Sequence, residues 1–323
     1  MAQAPQNTQA APAFLVTGGY QGAKAPLQNG VVALINNQVV SFSSPTSTPV
    51  QSTAPALSNP QGLCGDINNG VAVYSGTKVA YLNSVGVAGA RWYSLPALPS
   101  GAGSIKAMSG DLLNGLVISD GTNLYSLQFS GGAPEWTLLT APPAGTIIGV
   151  AGDPTTGVLL VIGSPNGPSS LYYAAGGCSC AWVPLSAGGS SLPVARIQVS
   201  LVCGNVNGFI VFGENQFYTY TVKFTPGSAT APAVAAATPN RLPPPPFAVT
   251  AITGDPVNGC TALAGASGLI ANTGNSFSGW TVISASAPTP APSAPSASSA
   301  PSAPAGGSGN AGAAAPEQIQ QAA

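Results

Sequence analysis

One turn, written six times, limits what this chain can fold into more than any other feature. An Asn-Gly or Thr-Gly step recurs at Asn29-Gly30, Asn69-Gly70, Asn114-Gly115, Thr156-Gly157, Asn207-Gly208 and Asn258-Gly259. Successive glycines lie 40, 45, 42, 51 and 51 residues apart. A second marker keeps the same phase: Trp92, Trp136, Trp182 and Trp280, all four tryptophans of the chain, follow their glycines by 22, 21, 25 and 21 residues. Within one period, Ile105 to Leu139, short apolar runs alternate with turn residues. They predict strands at Ile105–Met108, Leu116–Ser119, Leu124–Phe129 and Trp136–Leu139. A lone meander of four short strands cannot bury both faces of its sheet, so each copy needs neighbours like itself. Periods of 40–50 residues with four strands each predict an all-β, six-bladed β-propeller, with five or seven blades open if the first or last unit is misread. The blades run Phe14–Ser58, Asn59–Ser100, Ser104–Pro143, Gly145–Ala187, Pro193–Asn240 and Phe247–Ser284.

The turn has a local cause. In Gly152-Asp153-Pro154-Thr155-Thr156-Gly157 and Gly254-Asp255-Pro256-Val257-Asn258-Gly259, the Asp side chain bonds the backbone that follows it. Pro sets the first central φ, and Gly takes the left-handed position. The tryptophan of each last strand is expected to pack between blades, with its indole N–H seeking a partner.

The domain organisation read from this is a flexible arm over 1–12, a propeller over 13–284 and a disordered Pro/Ala/Ser-rich tail over 285–323. Thr225 to Pro246, TPGSATAPAVAAATPNRLPPPP, reads as a proline-rich excursion from the ring. The 1–12 segment lacks the basic and apolar regions of a secretory signal, and no apolar run nears the length of a spanning helix. Membrane insertion is therefore not expected.

Charge and residue type exclude several function classes. Charged residues make up 5% of the chain, against about 25% in ordinary soluble domains. The seven basic residues are scattered singly, so no footprint for nucleic acid is present. The absence of histidine removes Ser-His-Asp and Cys-His units and imidazole ligation. Asp66, Asp111, Asp153 and Asp255, with Asn205 as their counterpart, share the repeat's turn position. Either they form a rim of carboxylates for a cation or they cap their own turns, and capping is the expectation. Of the cysteines, Cys64 and Cys203 occupy equivalent positions too far apart to bond. A disulfide from Cys178 or Cys180 to Cys203 is set against buried thiols, which the odd count of five favours. No catalytic residue, metal ligand or cofactor is expected. Contacts with a partner are assigned to Asn166, Tyr172, Tyr173, Arg196, Phe217, Tyr218 and Arg241, read as lying on or near loops, with Arg196 and Arg241 just ahead of innermost strands.

The segments LVISDGTNLYSLQFSGGAPEWTLLT and LAGASGLIANTGNSFSGWTVIS resemble the bacterial-neuraminidase, or Asp-box, repeats and the related photosystem-assembly-factor propellers. Gly274-Asn275-Ser276-Phe277-Ser278-Gly279-Trp280 keeps the glycines and tryptophan of that box but not its Asp. For the sialidases of the family, the resemblance implies an arginine triad, a Tyr/Glu nucleophile pair and an Asp acid/base. This chain has three arginines, Arg91, Arg196 and Arg241, yet Ala195-Arg196-Ile197-Gln198 stands where the family has Phe/Tyr-Arg-Ile-Pro. Fold does not carry activity. The expectation is a non-catalytic scaffold or adhesion module that contacts other subunits of a larger assembly, in concrete form a phage or virus structural protein acting in a virion or extracellular particle. The alternatives are a glycan-binding or glycan-cleaving ring with a surface glycan as partner, and an assembly factor for a membrane complex.

Overall fold

Twenty-four short strands, nearly all paired with their neighbours in sequence, and one 3₁₀ turn account for the secondary structure among the described residues. The computed structural model describes residues 15–17, 30–35, 37–43, 48–55, 57–87, 89–129, 133–164, 167–176, 181–186, 192–205, 207–227, 233–257, 259–264, 269–273 and 279–283. The expectations for 1–12 and 285–323 lie outside them.

The first sheet joins β1 (Leu15–Thr17), β2 (Val31–Ile35), β3 (Gln38–Phe42) and β4 (Val50–Gln51). The second joins β5 (Gly62–Asp66), β6 (Gly70–Ser75), β7 (Lys78–Leu82) and β8 (Tyr93–Ser94). The third joins β9 (Ala107–Asp111), β10 (Gly115–Ser119), β11 (Leu124–Leu127) and β12 (Trp136–Leu138). Two further meanders follow: β13 (Thr146–Asp153), β14 (Gly157–Ser164), β15 (Gly167–Ala175) and β16 (Val183–Ser186), then β17 (Leu201–Asn205), β18 (Gly208–Gly213), β19 (Gln216–Thr225) and β20 (Val234–Arg241). Their outer strands pair in parallel, Leu185 opposite Ala235 and Ser186 opposite Ala236, which fuses the two into one eight-stranded sheet. The last sheet joins β21 (Ala251–Asp255), β22 (Gly259–Ala264), β23 (Leu269–Asn272) and β24 (Thr281–Ile283).

The first strands of these meanders pack on one another in a circuit. β1 meets β5, β5 meets β9, β9 meets β13, β13 meets β17, β17 meets β21, and β21 returns to β1. The arrangement is that of a β-propeller, and its physical basis lies in the second strands. Because side chains alternate across a strand, each second strand carries apolar side chains on both faces and feeds two cores. In β6, Val71 and Val73 enter a cluster with Val32 and Leu34 of β2. Ala72 and Tyr74 of the same strand enter another with Leu116 and Ile118 of β10. The pattern repeats with Val117 of β10 against Val158 and Leu160 of β14, and with Leu159 and Val161 of β14 against Phe209 and Val211 of β18. Ile210 and Phe212 of β18 pack with Cys260 and Ala262 of β22. Leu263 then closes onto Val31, Ala33 and Ile35 of β2.

Two features differ from the strand assignments made on sequence. β9 begins two residues late and runs through Gly110-Asp111, because these two residues pair with Leu116 and Gly115 and do not belong to the turn. The alanine-rich part of Thr225 to Pro246 is no excursion: Val234–Arg241 forms β20, in register with all of Tyr218–Thr225. Small side chains let this strand lie between β19 and β16, and Pro239 is accommodated opposite Tyr220.

Candidate functional site

The repeated turns are built from their acids. Oδ1 of Asp111 accepts the backbone N–H of Leu113 at 2.8 Å and of Asn114 at 2.7 Å, and Oδ2 accepts Asn114 Nδ2 at 2.9 Å. Asp66 does the same with Asn68 and Asn69, all at 2.8 Å. Asp153 accepts Thr155 N at 2.9 Å, Thr156 N at 2.8 Å and Thr156 Oγ1 at 2.5 Å. Asp255 accepts Val257 N at 2.8 Å, and its other oxygen takes Asn205 Nδ2 at 3.2 Å from the neighbouring meander. These oxygens cap turns, and no group of three or more His, Cys, Asp or Glu among the described residues is arranged to hold a metal ion. Burial raises the carboxyls of Asp66 and Asp153 above the ordinary range, against the pull of their turn donors, and the charge of Asp111 between them adds to both. The Gly before each Asp makes the turn possible. Gly110 has φ 97°, and a Cβ there would lie 2.1 Å from the carbonyl oxygen of Gly115.

Each indole N–H finds the partner it was expected to need, always a backbone carbonyl just after the previous meander's last strand. Trp92 donates to Thr53 at 2.8 Å, Trp136 to Pro96 at 3.1 Å, Trp182 to Thr140 at 3.1 Å and Trp280 to Pro243 at 3.0 Å. The fifth meander has no tryptophan. There the β16–β20 pairing serves instead, with Tyr173 set against Phe209 and Phe224 at ring-centre distances of 6.0 and 5.8 Å.

With these polar groups committed to the ring, one concavity among the described residues combines apolar and polar lining. A groove of about 530 Å³ opens on the face that carries the second-to-third strand turns and the links between sheets. Leu57, Val79, Ala102 and the segment Leu95-Pro96-Ala97-Leu98-Pro99 line it, with Val79 and Leu95 themselves buried in the core beneath. Two backbone bonds fix the walls to β7 and its turn: Leu95 N to Val79 O and Ile105 N to Gly76 O, both 2.9 Å. Thr77, Lys78 and Ser94 line the groove, and all three are exposed. Their side chains make no hydrogen bond or ion pair among the described residues. A smaller cleft of about 300 Å³, at Gly145, Thr146, Ile162, Gly163, Pro168 and Ser170, has no charged side chain among the described residues that line it.

The residues assigned to partner contacts do not converge. Asn166 lies outside the described residues, and Gly167-Pro168 beside it opens β15 and is not loop. Tyr172 and Tyr173 sit within β15, half-buried against different cores. Phe217 is fully buried in β19, 4.5 Å from Phe212 and 5.2 Å from Trp280 between ring centres, because alternation turns it inward. Tyr218, on the other face, donates from its hydroxyl to Gln216 Oε1 at 2.8 Å. Arg241 is exposed at the end of β20, opposite Tyr218, and so closes an outer strand; it does not precede an inner one. Arg196 is exposed at the end of a 3₁₀ turn, Pro193–Arg196. Arg91 is exposed just before β8. Cys64, Cys203 and Cys260 are free thiols, pushed up by burial first, while Cys178 and Cys180 lie outside the described residues. Reasoning from sequence missed the groove; its one signal was the doubled Leu-Pro of Leu95-Pro96 and Leu98-Pro99 between two predicted blades.

No protein-family model matches the chain, and no curated protein matches it significantly. Solved structures resemble it at a distance. YCF48 from Cyanidioschyzon merolae is 10% identical with a TM-score of 0.49, over 84% of this chain and 85% of that one. Virginiamycin B lyase from Staphylococcus aureus is 10% identical with a TM-score of 0.47, over 85% of each chain. A chain of a nidogen/laminin complex is 9% identical with a TM-score of 0.48, over 70% of this chain and 85% of that one. No residue role follows from likenesses this remote. The segment that resembles the Asp-box, Gly274 to Ser278, lies outside the described residues.

Proposed function

We propose that this chain is a six-bladed, non-catalytic propeller that serves as a binding scaffold, meeting other protein subunits of a larger assembly through the groove beside β7 and the link that leaves the second sheet. The observation that carries this reading is the contrast between the ring's chemistry and its concave surface. The recurrent acids and indoles are held in bonds that keep the ring together. The groove offers aliphatic and proline lining and three exposed polar side chains without hydrogen bonds or ion pairs among the described residues. Apolar concavities with a few convergent polar groups bind; catalysis asks in addition for a positioned acid, base or nucleophile. Among the described residues no aromatic ring lines the groove, which favours a protein segment over a sugar.

In its concrete form the assembly is a virus or phage particle, and the support for that is compositional: a turn-rich chain with 5% charged residues and a net charge of −1. Sedimentation of native material tests the reading. The protein is expected in a fraction far heavier than its own 31.5 kDa and to leave it as a discrete complex on mild dissociation. A protein found in its native source only as a free monomer would overturn the scaffold role.

A further inference from the structure

We infer that Pro243-Pro244-Pro245-Pro246, in the link from the fifth meander to the last sheet, is a preformed docking ligand for a partner whose binding groove is lined with aromatic side chains. The run shares no residue with the groove beside β7, so its test is separate from that of the scaffold reading. Its conformation is dictated covalently. Each proline holds its own φ at about −65°, and Leu242, Pro243, Pro244 and Pro245 each precede a proline, which disfavours the helical region for them as well. What remains is an extended polyproline II stretch, a form without internal hydrogen bonds. The fold fixes both ends. Leu242, 3% exposed, sits in the cluster shared by β18 and β22, and Phe247 and Trp280 pack against the same cluster. Leu242 N donates to Phe217 O at 3.0 Å, and Trp280 Nε1 donates to Pro243 O at 3.0 Å. Past Pro243 the run opens to solvent. Pro244 and Pro246 are exposed, and the carbonyls of Pro244, Pro245 and Pro246 accept no hydrogen bond among the described residues. The link after the second sheet differs, because Trp136 takes Pro96 O and Ala102 N takes Pro99 O. A run of proline rings with open carbonyls, already ordered by the fold, matches what aromatic-lined grooves bind: the rings pack on aromatic faces, and Trp or Tyr donors reach the carbonyls. Trp280 makes one such contact within the protein, an aromatic donor on a carbonyl of the same run.

The test uses the full-length protein and, as probe, a fluorescein-labelled WW domain, a small module with an aromatic-lined groove for polyproline II segments. Its anisotropy is expected to rise as unlabelled protein is added, and an unlabelled peptide of residues 240–247, Asn-Arg-Leu-Pro-Pro-Pro-Pro-Phe, is expected to reverse the rise. Pro244→Ala combined with Pro246→Ala removes the two exposed rings and leaves both anchors. Position 244 still precedes Pro245, so the backbone stays extended. This double variant is expected to bind the probe about tenfold more weakly or worse. Pro226→Ala, at an exposed proline outside the run, is expected to bind as the native protein does. Melting temperatures are read alongside: a link that merely spaces two strands would move the melting temperature of the double variant and leave its binding alone. No rise with the native protein overturns the inference. So does a rise that the double variant leaves unchanged, which assigns the probe to other prolines such as those between 288 and 304, and so does an equal loss in Pro226→Ala. None of these outcomes bears on whether partners cross-link at the groove beside β7.

Discussion

The indole N–H of Trp136 donates to the carbonyl oxygen of Pro96, 3.1 Å away and forty residues earlier in the chain. The bond spans two sheets, from the outer strand of the third to the link leaving the second, so it closes an interface that strand pairing alone leaves open. Trp136 is 5% exposed and belongs to the apolar cluster that includes Leu95, next to Pro96. Trp136→Phe is expected to cost about 1–3 kcal/mol, a lost bond plus a void in a packed interface. Trp182→Phe, whose bond to Thr140 is exposed, is expected to cost less, about 1 kcal/mol. Urea denaturation of the two variants checks the order.

The turn glycines separate two kinds of cost. Gly110 and Gly101 both have positive φ, 97° and 90°, yet an added Cβ would strike the Gly115 carbonyl at 2.1 Å in the first case and meet nothing within 4 Å in the second. Gly101→Ala is expected to lose about 1–2 kcal/mol from the left-handed backbone alone. Gly110→Ala adds a clash with backbone that cannot yield, for a loss of about 3 kcal/mol or more. Equal midpoints for the two variants in chemical denaturation would refute the steric account of the Gly-Asp step.

The pH dependence follows from two opposed shifts. Asp66 and Asp153 are raised in the folded state, so their contribution to stability is present below the ordinary carboxylate pKa and is lost as pH rises through their folded values. Asp120 is lowered: burial pulls it up, but the N–H groups of Asn123 and Thr122, the Asn123 amide and Gly103 N outweigh that. Its contribution is present above the ordinary carboxylate pKa and is lost as pH falls through its lowered value. The melting temperature is therefore expected to rise on acidification from neutral pH and to fall again in stronger acid. Asp111→Asn, which removes the charge between Asp66 and Asp153, is expected to flatten the rise. Scanning calorimetry from pH 7 to strong acid reads both.

The fused eight-stranded sheet makes a prediction about local opening. β16 is paired on both sides, with β15 and with β20, while β8 and β12 have one unpaired edge each. Amides of Val183, Leu185 and Ser186 are expected to exchange more slowly than those of Tyr93 and Ser94. Comparable exchange in the two outer strands would show that the parallel pairing is not made in solution.

Much of the fold was legible because the turn states its own geometry. All six ruler glycines have positive φ, from 68° at Gly30 to 140° at Gly157; five open a second strand and Gly30 immediately precedes one. Asp66 and its counterparts cap the turns that their spacing predicted. What sequence concealed depends on contacts between distant segments. Nothing local in AVAAATPNR marks a strand, since β20 exists through its register with β19 and its parallel partner β16. The surroundings of two of the aromatic contact residues were concealed for a related reason. Phe217 and Tyr173 are aromatic and near predicted turns, but strand alternation and packing, not distance from a turn, decide which rings face solvent. The groove joins Leu57, Lys78 and Leu98, residues of three segments that only the assembled ring brings together.

The claim that the groove is where partners dock is tested most directly by photo-cross-linking in the native source. A benzophenone side chain is placed either at Ala97, on the groove wall, or at Leu113, 66% exposed in a turn at the other end of the strands. The account predicts one discrete, heavier adduct from position 97 and none from position 113. An adduct from position 113 alone, or no adduct from either, would contradict it.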